Sequence, residues 1–321
     1  MAHFSWRNRI LLASSACMVA LAAFTACQTF AAAPAAAPAT TTPAQADKPA
    51  GHKIVYASHS LMWDVPDILT EEVKAYGIVD HKILGVQRNG FSTTAAMWQS
   101  GASQSKKWMQ DGKPDDFVTS PMEMPDTGVD NYVAFGLEQN PNMRFFIQNN
   151  WAGFNMDGNL AGKMMGRGAK PWDQTTVEDL KTLNTTCENA FNDQIKKINE
   201  KYKADPKIGR EVAFIIPTSE GNTELRTLVI QGKFAGLDKQ SDLFADQIGH
   251  PKPPLWAFNS YMHFACIYGK SPVGLPIPAV LKKTNNPKFD EDFNKRLQEL
   301  AWKTVINHPL SGVKAPEKAA K

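Results

Sequence analysis

Cysteine is scarce in this chain, with four among 321 residues: Cys17, Cys27, Cys187 and Cys266. No two of them have Cys-x-x-Cys spacing, and no His/Cys cluster has the spacing of a metal site. Zinc-ribbon and dithiol-redox classes therefore drop out, and no cofactor is expected. Basic clusters interleaved with aromatics are missing too. Net charge is only +3, and Lys196, Lys197, Lys201 and Lys203 read as the solvated face of a helix, so no nucleic-acid surface is expected. The apolar stretch Ile10–Phe24 has signal-peptide length and is too short for a membrane span. No internal repeat and no second domain boundary appear. What remains is 43% hydrophobic and 21% charged, enough for a sizeable packed core.

Arg7 and Arg9 precede the apolar stretch as a positive n-region, so export to the periplasm or cell envelope is expected. Two processing sites fit. Thr25-Ala26-Cys27 resembles a lipoprotein site with Cys27 as the lipid-bearing residue, while the Ala-rich run after Phe30 suits ordinary signal peptidase. Membrane contact is expected only through such an anchor at Cys27. Residues 1–27 are read as the leader, 28–50 as an Ala/Pro/Thr-rich spacer that cannot bury a core, 51–312 as the folded domain and 313–321 as a charged tail. Cys187 and Cys266 are read as two buried free thiols, although an oxidising compartment permits them to pair.

Within the domain, short apolar runs alternate with helical patterns. Strands are expected at 53–57, 82–86, 116–119, 143–148 and 211–216. Helices are expected at 65–76, 92–109, 129–137, 176–202, 223–230, 255–268 and 289–306. This alternation implies parallel βαβ units: a three-layer α/β/α sandwich on a five-stranded, mainly parallel sheet of flavodoxin-like order.

A parallel sheet gathers the loops after its strands on one edge, where α/β proteins bind ligands. Ser58-His59-Ser60 follows strand one, Gln87-Arg88-Asn89-Gly90 strand two, Ser120-Pro121-Met122-Glu123 strand three, and Asn149-Asn150-Trp151 strand four. Ser60, at a sharp strand-to-helix turn, is the candidate nucleophile. Serine catalysis also needs a base, a group that orients the base, and donors for an oxyanion. His250 is the candidate base and Asp246 its orienting carboxylate. The Ser60 and Gly90 N–H groups, with Asn149, are the candidate oxyanion donors. Glycine at position 90 lets a backbone approach a ligand closely. His59 and Trp151, the latter with Phe154, are candidate substrate contacts. The methionines at 122, 124, 156, 164 and 165 read as gap-fillers, so no metal ligands are assigned.

Taken together, the Ser60-Leu61 turn, Asn89-Gly90 after the second strand, and Asp246…His250-Pro251 before a late core helix resemble the SGNH, or GDSL-like, hydrolases over about residues 53–273. That resemblance implies hydrolysis of an ester, often an acyl group on a carbohydrate, with Ser60 as nucleophile and His250 as base. His59 stands where the family has Asp or Asn. Three residues separate Asp246 from His250 where the family has two. Ser120-Pro121-Met122-Glu123-Met124 stands where its third block lies. These differences support an alternative reading, a catalytically silent SGNH-like domain binding an envelope glycan or partner. A two-lobed solute-binding protein is a third class, for which the chain is too short and too singular.

Overall fold

The computed structural model describes residues 49–315, except residues 91, 102, 123 and 152–170 and the side chain of Cys187. The expected leader with Cys27, most of the spacer, most of the charged tail, Glu123 and Phe154 therefore lie outside the described residues. So do three of the five methionines, Met156, Met164 and Met165.

Five strands form the sheet: β1 Lys53–Ser58, β2 Lys82–Arg88, β3 Asp116–Thr119, β4 Arg144–Gln148 and β5 Ala213–Ile216. Their order is β2-β1-β3-β4-β5 and every pairing is parallel. This is the expected flavodoxin-like order, all parallel rather than mainly so. Both faces are covered, so the strands read as unbroken apolar runs whose alternate residues enter different cores. Ile54, Tyr56, Val118, Phe146 and Ile216 point into one cluster. Val55, Ala57, Phe117, Phe145, Ile147 and Ile215 point into the other.

The first cluster is closed by helices α1 (Val65–Tyr76), α6 (Thr218–Ile230), α7 (Pro253–Tyr268) and α9 (Glu291–Asn307). The second is closed by α2 (Thr94–Gln99), α3 (Gln104–Gly112), α4 (Thr127–Gln139) and α5 (Val177–Ala204). The result is a helix–sheet–helix sandwich, with a one-turn helix α8 (Ala279–Lys282) that the sequence pattern did not single out.

Several element boundaries differ from expectation, and three of the differences have a clear physical reason. The single helix expected over 92–109 is two, broken at Ser100-Gly101. Ser103 and Lys113 bound the second piece, Lys113 in the left-handed conformation (φ 43°). Helix α6 starts at Thr218 rather than Thr223, because Asn149 caps it from β4: its Oδ1 accepts from Ser219 N–H at 2.8 Å. Helix α7 opens at Pro253-Pro254, where the missing N–H groups would have no intrahelical acceptor anyway. Cys266 is a buried free thiol in that helix.

Candidate active site

The sheet reverses its winding between β1 and β3, and Ser60 sits just past the carboxyl end of β1. This is the switch point where open α/β sheets leave a crevice. Ser60-Leu61-Met62 forms a single 3-10 turn. Ser60 opens it, and the first N–H groups of a helical turn have no acceptor within the turn.

His250 reaches this turn from a closed loop. Phe244 and Pro251 pair as an isolated antiparallel bridge. Ala245 N–H donates to His250 O at 2.8 Å, and Lys252 N–H to Leu243 O at 2.8 Å. Inside the loop, Asp246 Oδ1 accepts from the N–H groups of Ile248 (3.0 Å), Gly249 (3.0 Å) and His250 (3.2 Å). Its other oxygen, Oδ2, lies 2.5 Å from His250 Nδ1. The opposite ring nitrogen, Nε2, lies 2.7 Å from Ser60 Oγ. A carboxylate on Nδ1 fixes the tautomer with hydrogen on Nδ1, which leaves Nε2 free to accept from the Ser60 hydroxyl. The spacing of Asp246 from His250 is thus no obstacle, because the carboxylate both folds the loop and orients the ring.

Burial raises the Asp246 pKa, but hydrogen bonds from the His250 ring and from the His250 and Gly249 N–H groups outweigh it. The carboxyl titrates below its ordinary value. The pair is partly open, with side-chain exposures of 29% for His250 and 42% for Asp246. In such a setting its worth lies in orientation rather than stability.

Two tryptophans hold the ends of this loop. Trp172 Nε1–H donates to Asp246 O at 2.9 Å, and Trp151 Nε1–H to Gly249 O at 3.2 Å. Trp172 stacks on Phe244 at 3.9 Å, with the Arg226 guanidinium 5.0 Å from the Trp172 ring. Burial lowers the Arg226 pKa to about 9. Gly249 has φ +96°, a region that costs a side-chain-bearing residue. Neither Trp172 nor Gly249 was singled out by sequence. A glycine immediately before the His-Pro pair was the one available signal.

Two expected substrate contacts, Trp151 and His59, are buried. Trp151 is only 1% exposed and props the histidine loop through its hydrogen bond to Gly249 O. His59 is 2% exposed and caps the Ser60 turn, accepting from Leu61 N–H at 3.3 Å. Burial, with a smaller contribution from nearby His250, lowers the His59 pKa to about 4, so it stays neutral.

The oxyanion candidates separate in the same way. Asn89 N–H continues the β1–β2 ladder onto Ser58 O at 3.0 Å, which sets Asn89-Gly90 beside the Ser60 turn. Among the described residues a β-carbon on Gly90 would meet nothing within 4 Å, so packing does not require glycine there. Asn149 is committed to α6, donating from Nδ2 to Glu220 at 2.8 Å besides capping Ser219. Asn150 is likewise held, its Oδ1 accepting from Ser120 Oγ at 2.9 Å. The loops after β3 and β4 thus lock one another.

No protein-family model and no curated protein matches the chain. Among solved structures, a DUF4886 family protein from Bacteroides uniformis is similar with a TM-score of 0.51 at 13% identity, over 79% of this chain and 95% of that one. This chain shares that fold. A gut microbial diltiazem-metabolizing enzyme aligns with a TM-score of 0.33 at 12% identity, over 68% of this chain and 47% of that one. At such identities residue roles do not transfer, and the site stands on its own geometry.

Proposed function

We propose that this chain is a serine esterase of SGNH type. One observation carries the reading: a continuous Ser60–His250–Asp246 relay at 2.7 and 2.5 Å, set at the switch point of a parallel sheet. In the proposed cycle His250 Nε2 takes the Ser60 proton as Oγ attacks the acyl carbon. The N–H groups of Ser60 and Gly90 hold the oxyanion. The imidazolium returns the proton to the leaving alcohol, giving an acyl-serine. Water, deprotonated by His250, then attacks that acyl group, and the acid and free Ser60 are released. Asn149, already engaged by α6, is left out of the oxyanion role.

We further propose acylated carbohydrate of the envelope as substrate, on the strength of the SGNH resemblance and of the leader and spacer expected from the sequence, with Cys27 as the anchor point. The test is release of acetate from a panel of acetylated sugars and aryl acetates by the wild-type chain. Turnover by the wild-type and none by Ser60→Ala supports the reading. Equal turnover by both ends it.

The loop supports give a finer expectation. Trp172→Phe keeps the ring on Phe244 and deletes one N–H donor to the loop. A nucleophile–base misplacement of about 1 Å costs on the order of 10²-fold. Trp172→Phe and Gly249→Ala are therefore expected to lower kcat by roughly 10- to 100-fold with KM nearly unchanged, as read in steady-state kinetics. A rise in KM at constant kcat would instead place the loop in substrate binding.

A further inference from the structure

Away from the Ser60 relay, three side chains distant in sequence converge: Glu188 from α5, Glu220 in the first turn of α6, and His308 at the C-terminal cap of α9. One donor atom from each lies within 4.8 Å of the others. Glu220 Oε1 and His308 Nε2 are both buried and, among the described residues, have no hydrogen-bond partner. The His308 side chain is 3% exposed.

The two atoms are 3.5 Å apart, beyond the usual N–H···O range. Two ligands held at about 2.1 Å around a tetrahedral zinc ion are separated by roughly 3.4 Å, close to this spacing. Among the described residues no lysine or arginine ion-pairs with either glutamate. Among the described residues Glu188 hydrogen-bonds to Asn184 (3.4 Å) and Asn192 (3.5 Å). The second Glu220 oxygen is fixed by Asn149 Nδ2 at 2.8 Å, an outer hydrogen bond of the kind that orients a ligating carboxylate.

We infer that Glu188, Glu220 and His308 form a binding site for a divalent transition cation, zinc above all. The donor set of one imidazole and two carboxylates suits that ion. The ion would join α5, α6 and the end of α9. Loading Nε2 puts the ring proton on Nδ1, so the contact that Leu310 N–H now makes to His308 Nδ1 at 3.2 Å opens on binding. Sequence spacing gave no sign of this site, because its donors are 32 and 88 positions apart along the chain.

The test is calorimetric titration of the tag-free, chelator-washed full chain with Zn²⁺, alongside thermal melting. One site is expected, with Kd in the micromolar range or below. Tm should rise by roughly 5 °C at a hundredfold excess over Kd. Glu188→Gln, Glu220→Gln and His308→Gln should each weaken binding by at least tenfold. If His308→Gln fails to fold, Glu188→Gln, at a partly exposed position, carries the test. No binding, or binding that any folded variant leaves unchanged, overturns the assignment.

Discussion

Ser60→Ala and His250→Ala are each expected to lower acyl-ester turnover by about 10³- to 10⁶-fold, with the double variant no worse than the poorer single one. The reason is the relay itself. Ser60 Oγ meets His250 Nε2, so either change disables the same proton transfer and little is left for the second to remove. Asp246→Asn should cost on the order of 10⁴-fold, by allowing the wrong ring tautomer. It also weakens three backbone contacts to the 246–250 loop. Its loss therefore combines tautomer and loop effects, whereas Ser60→Ala isolates the chemistry. Ser60 is partly exposed, so removal of its hydroxyl should leave thermal stability within about 0.5 kcal/mol. Initial rates on an aryl acetate, read beside melting curves, check both halves. Losses that multiply in the double variant would mean that Ser60 and His250 act separately.

The second large effect concerns acid and the buried histidine of α7. His263 is wholly buried, with Nε2 2.8 Å from Gln148 Oε1, and desolvation lowers its pKa to about 3 from an ordinary 6.5. The folded chain keeps this ring neutral while the unfolded chain protonates it below pH 6.5. Its contribution to stability is therefore whole above that pH and is lost as pH falls toward the folded value. Between pH 7 and pH 5 the loss amounts to about 2 kcal/mol. His59, lowered to about 4 by burial and by His250, acts in the same direction. Glu72, whose carboxyl burial pushes well upward, acts in the opposite one, since the fold then holds a proton that the unfolded chain releases. The comparison that isolates His263 is wild type against His263→Gln in urea unfolding at both pH values. The variant should gain about 2 kcal/mol relative to wild type on going from pH 7 to pH 5. A difference that does not change with pH would mean that His263 titrates in the fold as it does in the unfolded chain.

The sheet was legible because its strands carry short apolar runs, as in Ile54–Ala57 or Phe145–Ile147, each followed by a helical period. The relay was legible in part. A turn serine, and an Asp and His in one late loop, are visible as residue types in places that a parallel sheet brings to one edge. Exposure was not legible. His59 and Trp151 look like site residues by position, yet one caps a turn from below and the other lies under a loop. Nor was the long-range cap by which Asn149 starts α6 at Thr218, since it joins residues about 70 positions apart. The supports of the histidine loop were hidden for the same reason. Trp172 meets Asp246 only after the chain has crossed α5 and β5.

The most direct test of the central claim is covalent labelling. Incubation of the folded chain with a fluorophosphonate, followed by peptide mapping, should give one adduct, on Ser60, with labelling abolished in Ser60→Ala and greatly slowed in His250→Ala. A folded protein that takes no label, or that carries it on another residue, would contradict the proposal that Ser60 is an activated nucleophile.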